Sequence, residues 1–377
     1  MVEVVAPQSK VRDLTAAPRR IPIDVDGVGT YEIILTMWTV FNPEESGSGF
    51  DLGPEWLTRV REATPEDLAQ ELRALGGPHC SVWLGLLGLV AAAPHPHDPD
   101  RVVDWLGSIN PQRLRRWLLD YAGESADPGL VEQGANGDMD AVRQIVSTIK
   151  GGKLDEEWQN HLVSLFEIPG EELRDRLVHV IRRFRAEVFS EYEETFTAAI
   201  NRAAAAQRAT AARDSAKAVI EEVTNGLDYE IPLGVSRVTL VPSVVVKPLS
   251  LIDQHRDTLL VFYGMADEFI DSDPEAPPSW LVKTYKALSD ERRLRILRRL
   301  SEEEASLDDL TNLLGLSKST VHHHMSVLRG AGLVRVRIRG SKDEPKESKT
   351  YALRDQALAN AGAFLDTYIK TDRPAAS

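Results

Sequence analysis

The chain has 377 residues, enough for two or three domains, and its 42% hydrophobic and 27% charged residues are ordinary for a globular protein. A single cysteine, Cys80, excludes an internal disulfide and any multi-thiolate metal site or Cys-x-x-Cys redox pair. The N-terminus lacks a basic-then-apolar signal pattern, and the apolar run at residues 82–93 is shorter than the roughly 20 residues that span a bilayer. We therefore expect a soluble, cytoplasmic protein without a membrane partner.

The charge is unevenly distributed along the chain. The net charge is −14, which for the whole molecule argues against binding to nucleic acid. Residues 280–371, however, contain 17 Lys and Arg against 12 Asp and Glu, a net charge of +5, and the remainder carries −19. This change of sign predicts that only the C-terminal end of the molecule approaches a phosphate backbone.

The first two thirds of the chain read as helices joined by short loops. Residues 31–41 are apolar on most sides, and residues 79–93 predict a nearly all-apolar helix at the centre of the core. Amphipathic or proline-initiated patterns predict further helices at residues 54–63, 65–75, 98–109, 111–121, 139–149 and 154–166. Residues 171–225 form the longest helical stretch, either one helix or two with a break near Thr210. Its role is either to support the domain or to provide a docking surface for another protein.

A period of two then replaces the helical pattern. After an extended segment at residues 20–25, three more strands are predicted at residues 238–241, 244–247 and 258–263, within a small β segment at about 236–264. An acidic, proline-rich stretch, DSDPEAPP, predicts a linker at residues 271–278. We therefore predict a mainly α protein with two domains: a helical N-terminal domain with a small β segment (1–270), and a C-terminal domain (279–371).

The C-terminal region carries the pattern of a helix-turn-helix at residues 307–314 and 317–329. Gly315 suits the turn because glycine readily adopts positive φ, and Ser317 is a natural N-cap for the second helix. The second helix has an apolar stripe made of Val321, Met325 and Leu328. The opposite face presents hydroxyls and imidazoles, which can hydrogen-bond to base edges in a major groove: Ser319, His322, His323 and Ser326.

A β-hairpin follows the second helix. Residues 334–339 alternate between an apolar face and a face with Arg335, Arg337 and Arg339, and residues 349–353 return after a charged tip. Such a hairpin is a wing, whose arginines either contact DNA or form a solvated strand face. A last amphipathic helix is predicted at residues 355–369. The C-terminal domain (279–371) is therefore predicted to be a winged helix-turn-helix.

These residues resemble the ArsR-type winged helix-turn-helix regulators. The resemblance lies in ALSDERRLRIL, LGLSKSTVHHHMSVLRGAGLV and the hairpin ending TYAL, and it covers about a quarter of the chain. It implies a homodimeric transcriptional regulator, expected to be a repressor, that binds double-stranded DNA with its recognition helices in successive major grooves. Dimer contacts would come from the flanking helices, residues 280–288 and 355–369. The N-terminal part is similar in layout to helical domains fused ahead of such modules, which implies no activity.

The resemblance also implies DNA-contacting residues. The positions that match the DNA-facing residues of the family are Ser317, Lys318, Ser319, Thr320, His322 and His323, and the wing positions that touch phosphate are Arg339 and Lys342. From the pattern of this chain we add Ser326 on the recognition face and Arg337 on the wing. Lys and Arg neutralise phosphates, whereas hydroxyls and imidazoles fix the register or read base edges.

Two histidine-rich strings invite a metal interpretation. His322, His323 and His324 point about 100° apart on a helix, so they cannot converge on one ion. The string from His95 to Asp100 resembles an H-x-H-x-D metal motif but lacks the histidine that completes it, and a proline-rich loop ending in a helix cap explains it. Metal-sensing members carry a cysteine pair in the first helix of the motif, or Asp and His ligands in the last helix, and this chain has neither set. We predict no metal site and no cofactor.

The alternative is a ligand-binding or enzymatic N-terminal domain, with the winged helix used for dimerisation or protein contact. The sequence contains neither a P-loop nor a G-x-S-x-G elbow, and we predict that the protein is not an enzyme. The tryptophans at helical spacing either form the core or line a small-molecule pocket. A small-molecule or protein effector at the N-terminal domain is therefore left open.

Overall fold

A computed structural model describes residues 20–42, 50–122, 126–148, 153–247, 249–266, 269, 277, 279–339 and 348–370. The fold is mainly α with two small sheets, as predicted. The helices of the first two thirds are α1 Gly29–Phe41, α2 Gly53–Ala63, α3 Glu66–Gly76, α4 Ser81–Ala91, α5 Pro99–Ser108, α6 Pro111–Ala122, α7 Pro128–Ala135, α8 Met139–Ser147, α9 Lys153–Glu167, α10 Gly170–Phe184, α11 Ser190–Ala211 and α12 Ala216–Val223.

The N-terminal helices pack around α1 and α4. Every residue of α1 is buried, because α4, α10, α11 and the first sheet surround it. The predicted helix at residues 79–93 begins only at Ser81, because His79 and Cys80 form part of a short 3-10 turn, Pro78–Cys80, and have positive φ. Helix α7 escaped prediction because its sequence, PGLVEQGA, is short and contains two glycines.

The long helical stretch was predicted as one helix, or as two with a break near Thr210. The structure has the break, directly after Ala211. Helices α10 and α11 are joined without interruption through one π-helical segment, Arg185–Phe189. Helix α12 restarts where the Ser215 hydroxyl accepts a hydrogen bond from the Ala218 backbone N–H. After this break, Ala216, Val219 and Ile220 of α12 pack on the strands that follow, Arg237–Ser243 and Thr258–Gly264.

The first sheet has the order β1-β3-β5-β4, with β1 Ile23–Val25, β3 Arg237–Ser243, β4 Ser250–His255 and β5 Thr258–Gly264. Strands β1, β3 and β5 are parallel, and β4 is antiparallel to β5. Both faces are covered, as parallel sheets require: one faces the helical bundle and the other faces α12.

The prediction of a strand at residues 244–247 is wrong. This valine-rich segment is a turn, and the strand lies at Ser250–His255 instead. The backbone N–H groups of Val244 and Val245 donate to the Glu32 carboxylate at 2.9 and 3.0 Å, so they are not available to a neighbouring strand. The valines are buried as a turn over α1.

The C-terminal region forms the predicted winged helix, with one short strand, Ala305–Ser306, that was not predicted. The elements of this region are α13 Ser279–Leu288, α14 Glu291–Glu302, β6 Ala305–Ser306, α15 Leu307–Leu314, α16 Lys318–Gly330, β7 Val334–Arg339, β8 Ser348–Leu353 and α17 Asp355–Lys370. The wing sheet has the order β2-β7-β8-β6. Strand β2, Leu227–Asp228, belongs by sequence to the N-terminal part, yet it pairs in parallel with β7. The predicted linker, apart from Pro277, lies outside the described residues.

Among the described helices, none is by itself both long and apolar enough to cross a membrane. The bent pair Glu66–Gly76 and Pro78–Ala91 reaches that length and composition only when the two are taken together across a 79° bend.

Candidate nucleic-acid interface

Local chemistry fixes the position of the recognition helix α16. Gly315 ends α15 with φ of +63°, and its N–H donates to the Thr311 carbonyl at 2.9 Å. Ser317 then caps α16, its hydroxyl accepting from the Thr320 N–H at 3.3 Å. The helix-turn-helix geometry therefore follows from the glycine and the serine that the sequence singles out.

The apolar stripe of α16 is buried as predicted. Val321, Met325 and Leu328 are at most 2% exposed and pack in the winged-helix core with Leu310 and Ile296. This packing determines which face of the helix remains in solvent.

The opposite face of α16 is exposed. Ser319, His322, His323 and Ser326 are all accessible, and Thr320 is half-buried. The Ser326 hydroxyl donates to the His322 carbonyl at 3.0 Å, so its lone pairs remain accessible to a donor. The predicted exposure is confirmed, and the DNA contacts themselves stay a prediction.

His324 differs from its two neighbours. Its side chain is only 6% exposed, and neither ring nitrogen has a hydrogen-bond partner among the described residues. Burial lowers the pKa of His324, and the positive charge of Arg293 adds to this effect. The negative charge of Asp290 acts in the opposite direction and is outweighed. The residue packs as a neutral ring inside the module and does not belong to the recognition face.

Lys318 opens α16 and forms an ion pair across the turn with Asp308 of α15, at 2.8 Å. Both side chains are more than 60% exposed, so the pair is weak and easily exchanged for a phosphate. Ser317 is exposed, and its hydroxyl also lies within hydrogen-bonding distance of the Ser319 and Thr320 hydroxyls. The start of the recognition helix thus concentrates one cation and three hydroxyls.

The wing residues predicted to contact DNA differ from those of α16 in how far the structure describes them and in their contacts. Arg339 lies at the end of β7, and Lys342 and the side chain of Arg339 fall outside the described residues. The side chain of Arg337 is only 27% exposed and is held by carboxylates: its Nε donates to Asp228 at 2.7 Å, and its terminal nitrogen donates to Glu304. In this arrangement Arg337 can reach DNA only if these ion pairs open.

Asp228 is the buried member of this cluster. Its side chain is 5% exposed and also meets the Lys217 ammonium at 2.7 Å. Burial raises the pKa of Asp228, but the hydrogen bonds and charges of Lys217 and Arg337 outweigh that effect and lower it. The carboxylate is therefore ionised at neutral pH and binds both cations.

Further contacts join the N-terminal part to the same face of the wing. Arg335 donates from Nε to Glu221 at 2.7 Å, and the Val336 N–H donates to the Gly226 carbonyl at 2.8 Å. Leu227 is 6% exposed within the winged-helix core. We call residues 221–228, which make these contacts, the clasp segment.

The clasp segment also reaches the end of the recognition helix. The Asn225 side-chain amide donates to the carbonyls of Arg329 and Gly330 at 2.9 and 3.3 Å, satisfying acceptors that a helix end leaves open. The Arg354 guanidinium donates to the Asn225 side-chain oxygen and to the Gly332 carbonyl, both at 3.1 Å. The N-terminal part therefore holds both the wing and the C-terminus of α16, which the sequence does not reveal.

The flanking helices α13 and α17 pack together, with the Tyr285 hydroxyl donating to the Ala361 carbonyl at 3.1 Å. Between them they leave large apolar side chains exposed: Trp280, Tyr285, Leu358, Tyr368 and Ile369. Ile369 is 69% exposed. A concentration of apolar surface on two neighbouring helices is typical of a protein–protein interface.

The string from His95 to Asp100 lies in the loop that leads into α5. Within the described part of the chain, no three His, Cys, Asp or Glu side chains are arranged to hold an ion. Asp98 instead caps α5, accepting from the N–H groups of Asp100 and Arg101 at 3.1 and 3.3 Å. The loop-and-cap interpretation of that string is confirmed.

Comparison with known proteins assigns the C-terminal region. Residues 290–336 match the family described as "Bacterial regulatory protein, arsR family". The HTH-type transcriptional regulator CmtR of Mycobacterium tuberculosis is 36% identical over 103 residues, which are 26% of this chain and 82% of that regulator. The chain belongs to the arsR family.

Other arsR-type relatives match the same region. The transcriptional activator HlyU of Vibrio cholerae is 44% identical over 56 residues, 15% of this chain and 52% of HlyU. A solved structure of HlyU from the same organism is 30% identical and covers 24% of this chain and 95% of HlyU, with a TM-score of 0.19. The arsR match thus covers only the C-terminal quarter of the chain. The matched module is the helix-turn-helix of a regulator family, not of an enzyme family.

Proposed function

We propose that this protein is a sequence-specific, DNA-binding transcriptional regulator that acts in the cytoplasm as a homodimer, most simply as a repressor. One observation carries the proposal: the face of α16 opposite the buried stripe presents hydroxyls and imidazoles to solvent within an arsR-type module. An ordinary solvent face would carry Glu and Lys for solubility, whereas this face offers donors and acceptors for base edges.

The proposed contacts fall into two groups. Ser319, His322, His323 and Ser326 face the bases, whereas the other contacts bind phosphate or fix the register: Ser317, Lys318, Thr320, Arg337, Arg339 and Lys342. Contact by Arg337 requires its ion pair with Asp228 to open. The clasp segment therefore competes with DNA for this residue.

The homodimer is supported by the apolar surface of α13 and α17. Burial of Trp280 and Ile369 against the same residues of a second copy would give a two-fold interface. Two recognition helices would then reach half-sites about 10–10.5 base pairs apart on one side of the duplex.

Selection of genomic fragments by the full-length protein tests the proposal. Fragments recovered from sheared genomic DNA should share an inverted repeat, and a variant carrying His322→Ala and His323→Ala should lose that enrichment. Expression of the adjacent gene should rise when the protein is absent. A fall would indicate an activator, and equal recovery of all fragments would refute sequence-specific binding.

The second candidate is a ligand-binding N-terminal domain whose winged helix serves dimerisation or protein contact. The observation that favours it is a polar cavity in the N-terminal part. It predicts ligand binding by the full chain without any preferred DNA fragment.

A further inference from the structure

A cavity of about 560 Å³ opens at one end of the first sheet, between that sheet and helices α1, α4 and α11. Its volume lies within the range of small-molecule sites, roughly 300–1,000 Å³. Tyr31, His97 and His255 line its interior, and Arg208 and Arg237 are exposed beside it. Parts of the chain that are distant in sequence thus contribute polar groups to one cavity that is partly open to solvent.

Two polar atoms on the cavity wall have unused hydrogen-bonding capacity. His255 Nε2 is buried without a hydrogen-bond partner among the described residues. The Tyr31 hydroxyl is also buried and lies beside the Asp26 carboxylate, which raises its pKa together with burial, and its oxygen can still accept a hydrogen bond. Tyr31 is 1% exposed. A buried polar group without a partner costs about 1–3 kcal/mol, so a bound molecule that supplies a partner recovers that energy.

The interior is held rigidly. His97 shares a 2.6 Å hydrogen bond with Asp26 from Nδ1 and a 2.9 Å bond with the Ala93 carbonyl from Nε2. The His255 ring is stacked on Trp117, with 3.6 Å between ring centroids. These side chains are positioned before any ligand arrives, which reduces the entropy cost of binding.

The electrostatics favour an anion. Helix α1 begins at Gly29 without a side-chain cap, and the preceding residues Gly27 and Val28 line the cavity, so the positive end of the helix dipole faces it. Arg208 donates to the Val25 carbonyl at 3.0 Å and adds a positive charge. The two carboxylates that line the cavity are each matched: Asp26 by His97, and Asp24 by Arg237 at 3.4 Å.

We infer that this cavity is a binding site for a small organic anion, whose negative group lies against the start of α1 and Arg208 and whose polar atoms complete the hydrogen bonding of Tyr31 and His255. The inference does not depend on the proposed DNA binding. Residues of the H-x-H-x-D-like string, His95 and His97, thus contribute to a ligand pocket and not to a metal site.

The test is a titration of the full-length protein without DNA. Thermal-shift and calorimetric titrations would use benzoate, 4-hydroxybenzoate, citrate and phenyl phosphate, each beside its neutral amide or alcohol, and inorganic phosphate. At least one organic anion should raise Tm saturably while its neutral analogue does not. Arg208→Gln and Tyr31→Phe should each weaken that binding about tenfold or more, equivalent to about 1.4 kcal/mol.

Arg202→Gln is the matched control. Arg202 is exposed on the same helix α11 but donates to the Phe269 carbonyl at 2.6 Å and does not line the cavity. Binding should be unchanged in this variant. The inference is overturned if no organic anion in the set binds, if neutral analogues or inorganic phosphate bind equally well, or if Arg208→Gln and Tyr31→Phe behave as the control does.

Discussion

The Asp228 carboxylate accepts a hydrogen bond from Arg337 at 2.7 Å and so joins the N-terminal part of the chain to the wing. The backbone of the same segment is a strand of the wing sheet, because Leu227 and Asp228 pair with Val336 and Arg337. Arg337, which is expected to contact DNA, is thus paired with an acidic residue of the same molecule. This arrangement gives the N-terminal part direct physical access to the proposed DNA-binding surface.

The first prediction concerns this clasp. Asp228→Asn removes the charge that holds Arg337 and Lys217, so amide hydrogen exchange at Val336 and Arg337 should accelerate about tenfold to a hundredfold. DNA affinity should rise roughly threefold to tenfold, the scale of an ion pair worth about 1 kcal/mol. Hydrogen-exchange mass spectrometry and fluorescence anisotropy measure the two effects.

Glu230→Gln is the control for the clasp, because Glu230 is 83% exposed and shares Lys217 with Asp228, at 3.4 Å, whereas Arg337 pairs with Asp228. Unchanged exchange in Asp228→Asn, or weaker DNA binding with the module intact, would show that the clasp does not compete with DNA.

The second prediction concerns phosphate contacts. Lys318→Ala and Arg339→Ala should each weaken binding to all sequences and lower the salt slope by about one. Asp308→Asn should have the opposite effect on affinity, since it removes the carboxylate that pairs with Lys318. Anisotropy titrations at several salt concentrations measure these slopes, and a Lys318→Ala protein with the wild-type slope would exclude a phosphate contact.

The third prediction separates two adjacent histidines. His323→Ala should change sequence preference, with a cost of about 1–3 kcal/mol at the base pair it contacts. His324→Leu should leave DNA preference intact and stabilise the protein by about 1 kcal/mol, since it removes two buried nitrogens without partners. Binding-site selection measures the sequence preference, and urea unfolding measures the stability. If His324→Leu changed the sequence preference and His323→Ala did not, the assignment of His323 to the bases would be wrong.

The same histidine predicts a pH effect. Because burial lowers the pKa of His324, the unfolded chain binds a proton that the folded module does not as the pH falls below about 6.5. The contribution of His324 to stability is therefore present above that pH and lost below it. His324→Leu should resist acid better than the wild type does, and an identical decline in both proteins would contradict this.

The fourth prediction concerns Glu32. Burial raises the pKa of its carboxyl group to about 7, although the hydrogen bonds from the Val244 and Val245 N–H groups act to lower it. The folded state retains a proton that the unfolded state loses, so the contribution of Glu32 to stability is full at low pH. It declines as the pH rises from about 4.5 through 7. Glu32→Gln should reduce the difference in unfolding free energy between pH 5 and pH 8 by roughly 2–3 kcal/mol.

Urea unfolding at both pH values tests this, with the exposed Glu55→Gln of α2 as the control. A Glu32→Gln protein that retains the wild-type pH dependence would show that Glu32 ionises normally.

The winged helix could be predicted from sequence because its determinants are local. The stripe of Val321, Met325 and Leu328, the turn at Gly315 and the cap at Ser317 each act within a few residues. The same reasoning predicted which side of α16 is exposed. It did not decide whether His324 is buried, because an imidazole can either pack in a core or face solvent.

The clasp could not be predicted, because it depends on pairing between residues about 110 positions apart. Strand β2 has only two residues, too few to give a period-two pattern. The strand predicted at residues 244–247 is wrong for a similar reason. The β propensity of the valines at 244–246 is local, whereas the Glu32 carboxylate that holds them as a turn is distant in sequence.

The central claim is that α16 reads DNA, and a salt-dependent titration of a selected duplex tests it most directly. The full-length protein should bind that duplex about 10³-fold or more tightly than a scrambled one. The logarithm of its binding constant should fall linearly with the logarithm of salt concentration, less steeply for Lys318→Ala. Equal affinity for the selected and scrambled duplexes, or no binding to either, would contradict the account.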